Sequence, residues 1–233
     1  MKKLLVLAFL VLSAVGLLAQ GAAPLRLEIP APANSDPFNY VSAGPLGVCV
    51  FYPTINESGK DSVNWSFVMT DNKLKEQWYR LVPLHKDVTY LKSLSTRNAI
   101  YLLFHDTKRN KDGNIFVFMV IPRLKVITEH RASIPEKADV VDFDISNDVA
   151  YIGYNNRKNQ PGIMGFSLVT GEKNNYEITS EKDALLLDIS ADSTQQKLYA
   201  TYKIQYSSSS NHLFVNQYKI AKKKKKTFDF TGQ

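Results

Sequence analysis

The side chains best equipped for chemistry in this chain are its clustered aspartates. Asp139, Asp142, Asp144 and Asp148 crowd one stretch, and Asp188 and Asp192 echo the last two further on. A hard cation needs several oxygen ligands from one compact loop, and no alternating Asp run ending in Gly is present to supply them. The spacing suits turns instead, where an Asp side chain accepts backbone N–H bonds. His85, His105, His130 and His212 are scattered, none forms a pair at zinc-ligand spacing, and the single cysteine gives them no thiolate partner. No Gly-x-Ser-x-Gly elbow offers an activated serine, and no Gly-rich loop is built to cradle phosphate. The carboxylates of a glycosidase need only meet in space, so that chemistry stays open without a nominated pair. We expect no metal and no cofactor.

The second group that could act is cationic. Lys108, Arg109 and Lys111 fall in one polar stretch, and Asn155, Arg157 and Lys158 fall in another, against Asp106 and Asp112. Such groups bind anions or acidic partners when a rigid scaffold presents them together on loops. These six residues are the candidate binding set. What they need is a set of elements that brings residues about 50 positions apart onto one face.

Those elements announce themselves by repetition. Tyr101 to Phe104, Tyr151 to Tyr154 and Tyr199 to Tyr202 share a Tyr-x-x-aromatic spacing, and Cys49 to Tyr52 occupies the same register upstream, at steps of 52, 50 and 48 residues. Ser42, Ser93, Ser146 and Ser190 precede them in the same order, each after a short strand-like pattern. A third apolar stretch follows in each unit (residues 65–69, 115–119, 163–168 and 213–218), then a looser alternating one (77–81, 126–130, 175–178 and 227–230). Four strands per period of about 50 residues is near what propeller blades require. Ile145-Ser146 and Ile189-Ser190, each flanked by Asp and followed by an aromatic strand, resemble the blade signature of bacterial exported β-propeller proteins of the TolB-like and WD40-like kind. The Gly that often follows the turn Asp is replaced by Val149 and Ser193. The resemblance implies an all-β chain of about four four-stranded antiparallel propeller-like blades, an open arc or a small closed propeller. It carries no particular activity with it.

Within each unit the second-to-third connection (53–61, 105–114, 155–160 and 207–211) and the connection to the next unit read as long polar loops. In a meandering blade both sets emerge on one face, which makes that face the expected functional surface. Residues 227–230 give the last unit its own outer strand, so residues 25–29, which alternate as a single strand, are not needed to complete it. An open arc is therefore expected, with terminal faces free for self-association.

Residues 1–20 have the three parts of a signal peptide: Lys2 and Lys3, an apolar run to Leu18, and a small-residue site at Ala19. Residues 21–36 form an Ala/Pro-rich segment and residues 37–233 the repeat domain. The apolar run is short for a membrane span, so a cleaved, exported chain in the periplasm, at the cell surface or secreted is expected. The formal charge of +7 includes Lys2, Lys3 and the run Lys222 to Lys226, leaving the remainder neutral. Basic character this local argues against nucleic acid, whose partners spread cations over a face, and suits a guard on a strand edge. Cys49 stands in a core-strand register and should be buried and inert. The expected function is an exported, non-enzymatic binding or scaffold protein that recognises a protein or anionic glycan through its loops. The alternative is a hydrolase or lyase of extracellular polymers with a site over the central channel.

Overall fold

The computed structural model describes residues 25–29, 38–106, 108, 114–156, 160–178, 183–207, 210–220 and 224–230. The expected leader and most of the Ala/Pro-rich segment lie outside these residues. The described chain is all-β: four antiparallel four-stranded sheets, each a simple meander. The first contains β1 (Asn39–Ser42), β2 (Val48–Gly59), β3 (Ser62–Thr70) and β4 (Glu76–His85). The second contains β5 (Val88–Ser95), β6 (Ile100–Asp106), β7 (Ile115–Ile121) and β8 (Val126–Ala132). The third contains β9 (Asp139–Ser146), β10 (Val149–Asn155), β11 (Pro161–Ser167) and β12 (Lys173–Glu177). The fourth contains β13 (Ala184–Asp192), β14 (Lys197–Ser207), β15 (Ser210–Lys219) and β16 (Lys224–Asp229). Among the described residues no helix is long and apolar enough to cross a membrane.

Burial explains why these segments pair as they do. The middle strands β6 and β7 are nearly continuous runs of Ile, Tyr, Leu, Val and Phe, buried on both faces. That is the composition of a strand sandwiched between two other sheets. First strands alternate more, and outer strands such as β8 alternate between exposed and half-buried residues. Three apolar cores result, joining sheets one and two, two and three, and three and four. Among the described residues no apolar core joins sheet four to sheet one, and closure into a ring is not detected. Cys49 is fully buried in the first core, and burial pushes its thiol up to about 12.

The turn between β9 and β10 explains the missing glycine. Ser146 pairs directly with Val149, leaving only Asn147 and Asp148 in the loop, both with positive φ (49° and 58°). A two-residue hairpin of this kind needs left-handed backbone at both positions, and Asn and Asp are the non-glycine residues that tolerate it best. The corresponding turn between β13 and β14 is longer, with Asp192 Oδ1 accepting the N–H groups of Thr194 (2.8 Å) and Gln195 (2.9 Å).

Three sequence expectations need correction. Residues 25–29 join no sheet, although they share a cleft with Tyr40, Val48, Val50 and Leu74 on the free face of sheet one. The stretches 53–61 and 207–211 are not long loops: β2 and β3 extend past Pro53 to Gly59 and Ser62, and β14 and β15 meet at Ser207 and Ser210. Bulges between Pro53 and Gly59 keep that ribbon paired despite a proline that cannot donate. The connection at 83–87 also shrinks, because β4 runs to His85 and β5 begins at Val88.

Candidate functional site

The innermost strands place one residue from each sheet at the same level. In β5, β9 and β13 the ladder slips by one residue, at Leu91, Val141 and Leu187. The residue after each slip is Lys92, Asp142 or Asp188, paired with Leu103, Gly153 and Thr201 just before the second aromatic of each motif. In sheet one the matching position, opposite Phe51, is Asn39. A bulge turns its strand and re-aims side chains, and here it delivers an ammonium and two carboxylates to neighbouring positions on adjacent sheets. Sequence likeness pairs Asp144 with Asp188; the ladders pair Asp142 with Asp188 and Asp144 with Ser190, because the β13–β14 turn is two residues longer.

Asp142 is 6% exposed and fully engaged. Lys92 Nζ donates to its Oδ1, which also accepts the N–H of Phe143 (2.8 Å), while Oδ2 accepts the N–H of Ile189 in sheet four (3.0 Å). Burial works against its charge, but hydrogen bonds from Asp188, Lys92 and the two backbone N–H groups outweigh it and hold the carboxyl below its usual range. Asp188, far more exposed, is pushed the other way, up to about 6, by its hydrogen bond to Asp142, by burial and by the charge of Asp142. Below about pH 6 Asp188 therefore holds a proton beside the anionic Asp142.

Two further side chains continue this stitching. Asp144 Oδ2 accepts the N–H of Ala191 (2.7 Å) and its Oδ1 that of Ile145 (2.7 Å). Asn155 makes a two-way clamp, accepting Leu186 N–H at Oδ1 (2.8 Å) and donating Nδ2 to Leu186 O (3.1 Å). Asn155, Asp142 and Asp144 thus satisfy backbone groups along β13 that its only ladder partner, β14, leaves unpaired. The expected turn role of Asp142 and Asp144 is therefore corrected. They lie within β9 and join sheets three and four instead; of this cluster and its echo, Asp148 and Asp192 stand at turns.

Of the candidate cations, Lys108 lies among the described residues. Lys108 is exposed, its Nζ 2.7 Å from Asp87 Oδ1, and this hydrogen bond holds Asp87 below the usual carboxylate range. His85 Nδ1 lies 3.5 Å from Asp87 Oδ2 and 3.8 Å from Asp106 Oδ2, and Lys86 Nζ lies 2.6 Å from Asp61 Oδ1. Asn155 is buried and committed to Leu186, so its side chain does not reach the loop surface. Arg109, Lys111, Arg157 and Lys158 lie outside the described residues. Two clefts open beside these connections. One, of about 360 Å³, runs between sheets one and two past Asn39, Pro53, Trp65, Lys86 and Tyr90. The other, of about 440 Å³, runs past Pro135, Tyr154, Asn156, Gln160 and Glu177 in sheet three. Among the described residues no group of three or more His, Cys, Asp or Glu is disposed to hold a metal ion. Reading the sequence missed Lys92 and the Asp142–Asp188 pair; the one-residue bulges that align them recur at the same ladder position in sheets two, three and four and leave no mark on the repeat spacing.

No family model and no curated protein matches this chain. Distantly similar solved structures are β-propeller proteins. They include a prolyl endopeptidase (TM-score 0.48, 11% identity, 82% of this chain and 26% of that one). A cobalt-substituted Synechocystis ACO is similar at a TM-score of 0.44 and 8% identity, over 84% of this chain and 50% of that one. The tricorn protease is similar at a TM-score of 0.48 and 12% identity, over 88% of this chain and 18% of that one. The chain thus spans half or less of each of these structures, and no activity passes to it from them.

Proposed function

We propose that this chain is an exported, non-enzymatic binding or scaffold protein that contacts a protein or an anionic glycan through the loop face of its blades. The observation that carries this reading is the commitment of the inner carboxylates. Both oxygens of Asp142 and both of Asp144 accept backbone N–H groups, two of which belong to the neighbouring sheet. Carboxylates so engaged hold blades together and have little freedom to take a proton from a substrate. Lys86 lines one of the two clefts, and Asn156 and Gln160 line the other, on a scaffold fixed by three cores.

One feature favours the alternative, a hydrolase or lyase acting over the axis: the carboxyl of Asp188 adjoins that of Asp142 and is pushed up to about 6, as one member of a catalytic carboxyl pair is. A hydrogen-bonded pair is closer than the ~5 Å or more that glycosidase carboxylates keep between them, and Lys92 neutralises the anion. The binding reading is therefore preferred.

The test replaces Lys108, Arg109, Arg157 and Lys158 together by Ser. The melting temperature should stay nearly unchanged, because exposed substitutions cost little, while binding to an anionic partner weakens. Undiminished binding removes the loop cations from consideration. Polymer cleavage that disappears in Asp188→Asn would overturn the non-enzymatic reading itself.

A further inference from the structure

The ladders let the faces of all four sheets be compared residue by residue, because Phe51, Leu103, Gly153 and Thr201 hold one equivalent position. The face that sheet two turns to sheet one is built from Leu102, Phe104 and Phe118, all in the first core. The same positions hold Ile152, Tyr154 and Met164 in sheet three, packed on sheet two. In sheet four Ala200 and Tyr202 stand there and pack on sheet three. Sheet one carries Val50, Tyr52 and Val68 at these positions, and among the described residues no sheet precedes it. Their rows run on to Tyr40, Tyr79 and Leu81, which are 76%, 55% and 52% exposed. No charged residue stands in the rows Tyr40–Val50–Val68–Tyr79 and Tyr52–Ser66–Leu81. Glu76 ends the next row, and Arg26 and Glu28, beside this face, pair with each other (3.0 Å).

The opposite faces follow the same rule. Toward the next sheet, sheet one presents Phe51, Trp65 and Phe67 in the first core, and sheet two presents Leu103, Ile115 and Val117 in the second. Sheet four holds Thr201, Leu213 and Val215 at these positions, and among the described residues no sheet follows it. Thr201 and Val215 are half-buried, while Leu213, Leu185 and Phe230 are exposed. Charges keep to the margins of this face. Asp188 begins the row Asp188–Thr201–Val215–Phe228, Lys226 ends the row Ser190–Tyr199–Gln217–Lys226, and Asp192, Lys197 and Lys219 form the row at the turn end. Lys203, opposite Leu213, is the exception; a lysine stem lies along apolar surface while its head reaches water.

We propose that sheet four of one copy packs against sheet one of a second copy, head to tail, as each sheet packs on the next within the chain. The internal interface between sheets one and two supplies the register. There Phe51 meets Phe104 (6.3 Å), Trp65 meets Phe104 (4.9 Å) and Phe67 meets Phe118 (5.8 Å). The same register sets Thr201 and Leu213 of one copy against Tyr52 of the other, and Val215 against Val68. Each copy has one face of each kind, so the contact is heterologous and either closes into a ring or runs on as a filament. A propeller ring holds about four to eight blades, and two copies of four sheets fit within it. The pair therefore closes on two identical junctions. Apolar burial drives the contact, and it covers both faces at once. A dimer joined sheet one to sheet one would leave Leu185, Leu213 and Phe230 in water. The junctions use sheet faces rather than loops, so this proposal and the loop-face reading can fail separately.

Sedimentation equilibrium of the full chain over a dilution series tests the pairing. We expect twice the chain mass at micromolar concentration, and protection of Tyr79 from iodination that dilution removes. Leu213→Glu and Leu81→Glu each place a charge in both junctions and should weaken pairing about a hundredfold or more. Both sites are exposed, so each variant should stay folded by circular dichroism. Mixed together, the two variants should pair again, because one junction of the mixed ring joins an unaltered sheet four to an unaltered sheet one. The loop quadruple variant should pair like wild type. The proposal is overturned by a monomer, whether its Tyr79 is reactive or its four sheets close alone, and by species that grow beyond two chains. Pairing lost in Leu81→Glu but kept in Leu213→Glu, no recovery on mixing, or pairing lost in the loop variant overturns it as well.

Discussion

Between the first two sheets the space is filled with rings. Phe104 meets Trp65 edge-on at 4.9 Å, Phe118 at 5.3 Å and Tyr90 at 5.6 Å, and Phe51 stacks near Phe67 at 6.0 Å. Between the last two sheets the packing is aromatic as well, but polar atoms run through it. Asn216 Nδ2 donates to Tyr218 Oη (3.0 Å), which donates to the carbonyl of Glu177 (2.9 Å), while Asn155, Asp142 and Asp144 grip the backbone of β13. Gly153 lets this approach happen, since a Cβ there would lie 2.7 Å from Leu186 Cδ2. The difference teaches how each interface is specified. Apolar rings supply non-directional burial, tolerant of small shifts. Buried polar clamps fix one register of sheet four against sheet three, because any slip leaves N–H groups unpaired.

The comparison breaks most visibly at Phe104, which is fully buried. Phe104→Ala should cost about 3–5 kcal/mol through lost burial and the cavity left behind, read as a shift of the denaturation midpoint. Phe104→Leu should recover more than half of that. If the alanine variant loses less than about 1 kcal/mol, the first interface is not held by its rings.

Asn155→Ala is the matching cut in the second interface. It strands the N–H and C=O of Leu186 and should cost about 2–3 kcal/mol. The distinguishing readout is local. Amide exchange should quicken at Leu186, Ile189 and Ala191 while β6 and β7 keep their protection. Quickening spread evenly over all four sheets would contradict a clamp confined to sheets three and four.

Asp142→Asn tests the charge within the clamp. The amide keeps the shape, but its NH₂ faces a backbone donor or the ammonium of Lys92, and the expected cost at pH 7 is about 1–2 kcal/mol. Asp142 is held below the usual carboxylate range, so the stability it contributes is present above its unfolded value and is lost as pH falls through the folded one. The penalty of the Asn variant should therefore shrink in acid.

How much of this is legible in the sequence follows the same division. The ring interface reads directly, because the Tyr-x-x-aromatic spacing and the apolar runs mark the segments of Phe51, Phe67, Phe104 and Phe118 as core strands. The polar interface does not. Asp142 and Asp144 sit beside a turn in sequence, where turn bonding is the ordinary role of Asp. Their partners are backbone groups 47 residues away, which carry no side-chain signature. The bulges at Leu91, Val141 and Leu187 recur at the same ladder position in sheets two, three and four, so they leave the repeat spacing unchanged. Asn155, which stands at the start of a polar stretch, is the last residue of β10.

The smallest expected effect, and the sharpest separation of the two interfaces, lies at Asp188. Its hydrogen bond to Asp142 raises its folded value to about 6, against about 3.9 in an unfolded chain. Between these values the folded state holds a proton that the unfolded state has released. Asp188 therefore contributes stability that is complete below about pH 4 and lost as pH rises through about 6. Asp142 acts oppositely and in a lower window, below about 4, so wild-type stability rises with pH there and falls between about 4 and 6. In Asp188→Asn only the rising limb remains. The variant should gain stability relative to wild type as pH climbs from about 4 to about 6 and hold the gain above it. The gain should stay below about 1 kcal/mol, because Asp188 is exposed and its interactions are screened. The same pH series on Phe104→Leu should run parallel to wild type, since the rings packed on Phe104 are Trp, Phe and Tyr, with no carboxyl among them. A difference between Asp188→Asn and wild type that stays constant with pH would show that Asp188 holds no proton beside Asp142. The second interface would then be held by backbone clamps alone.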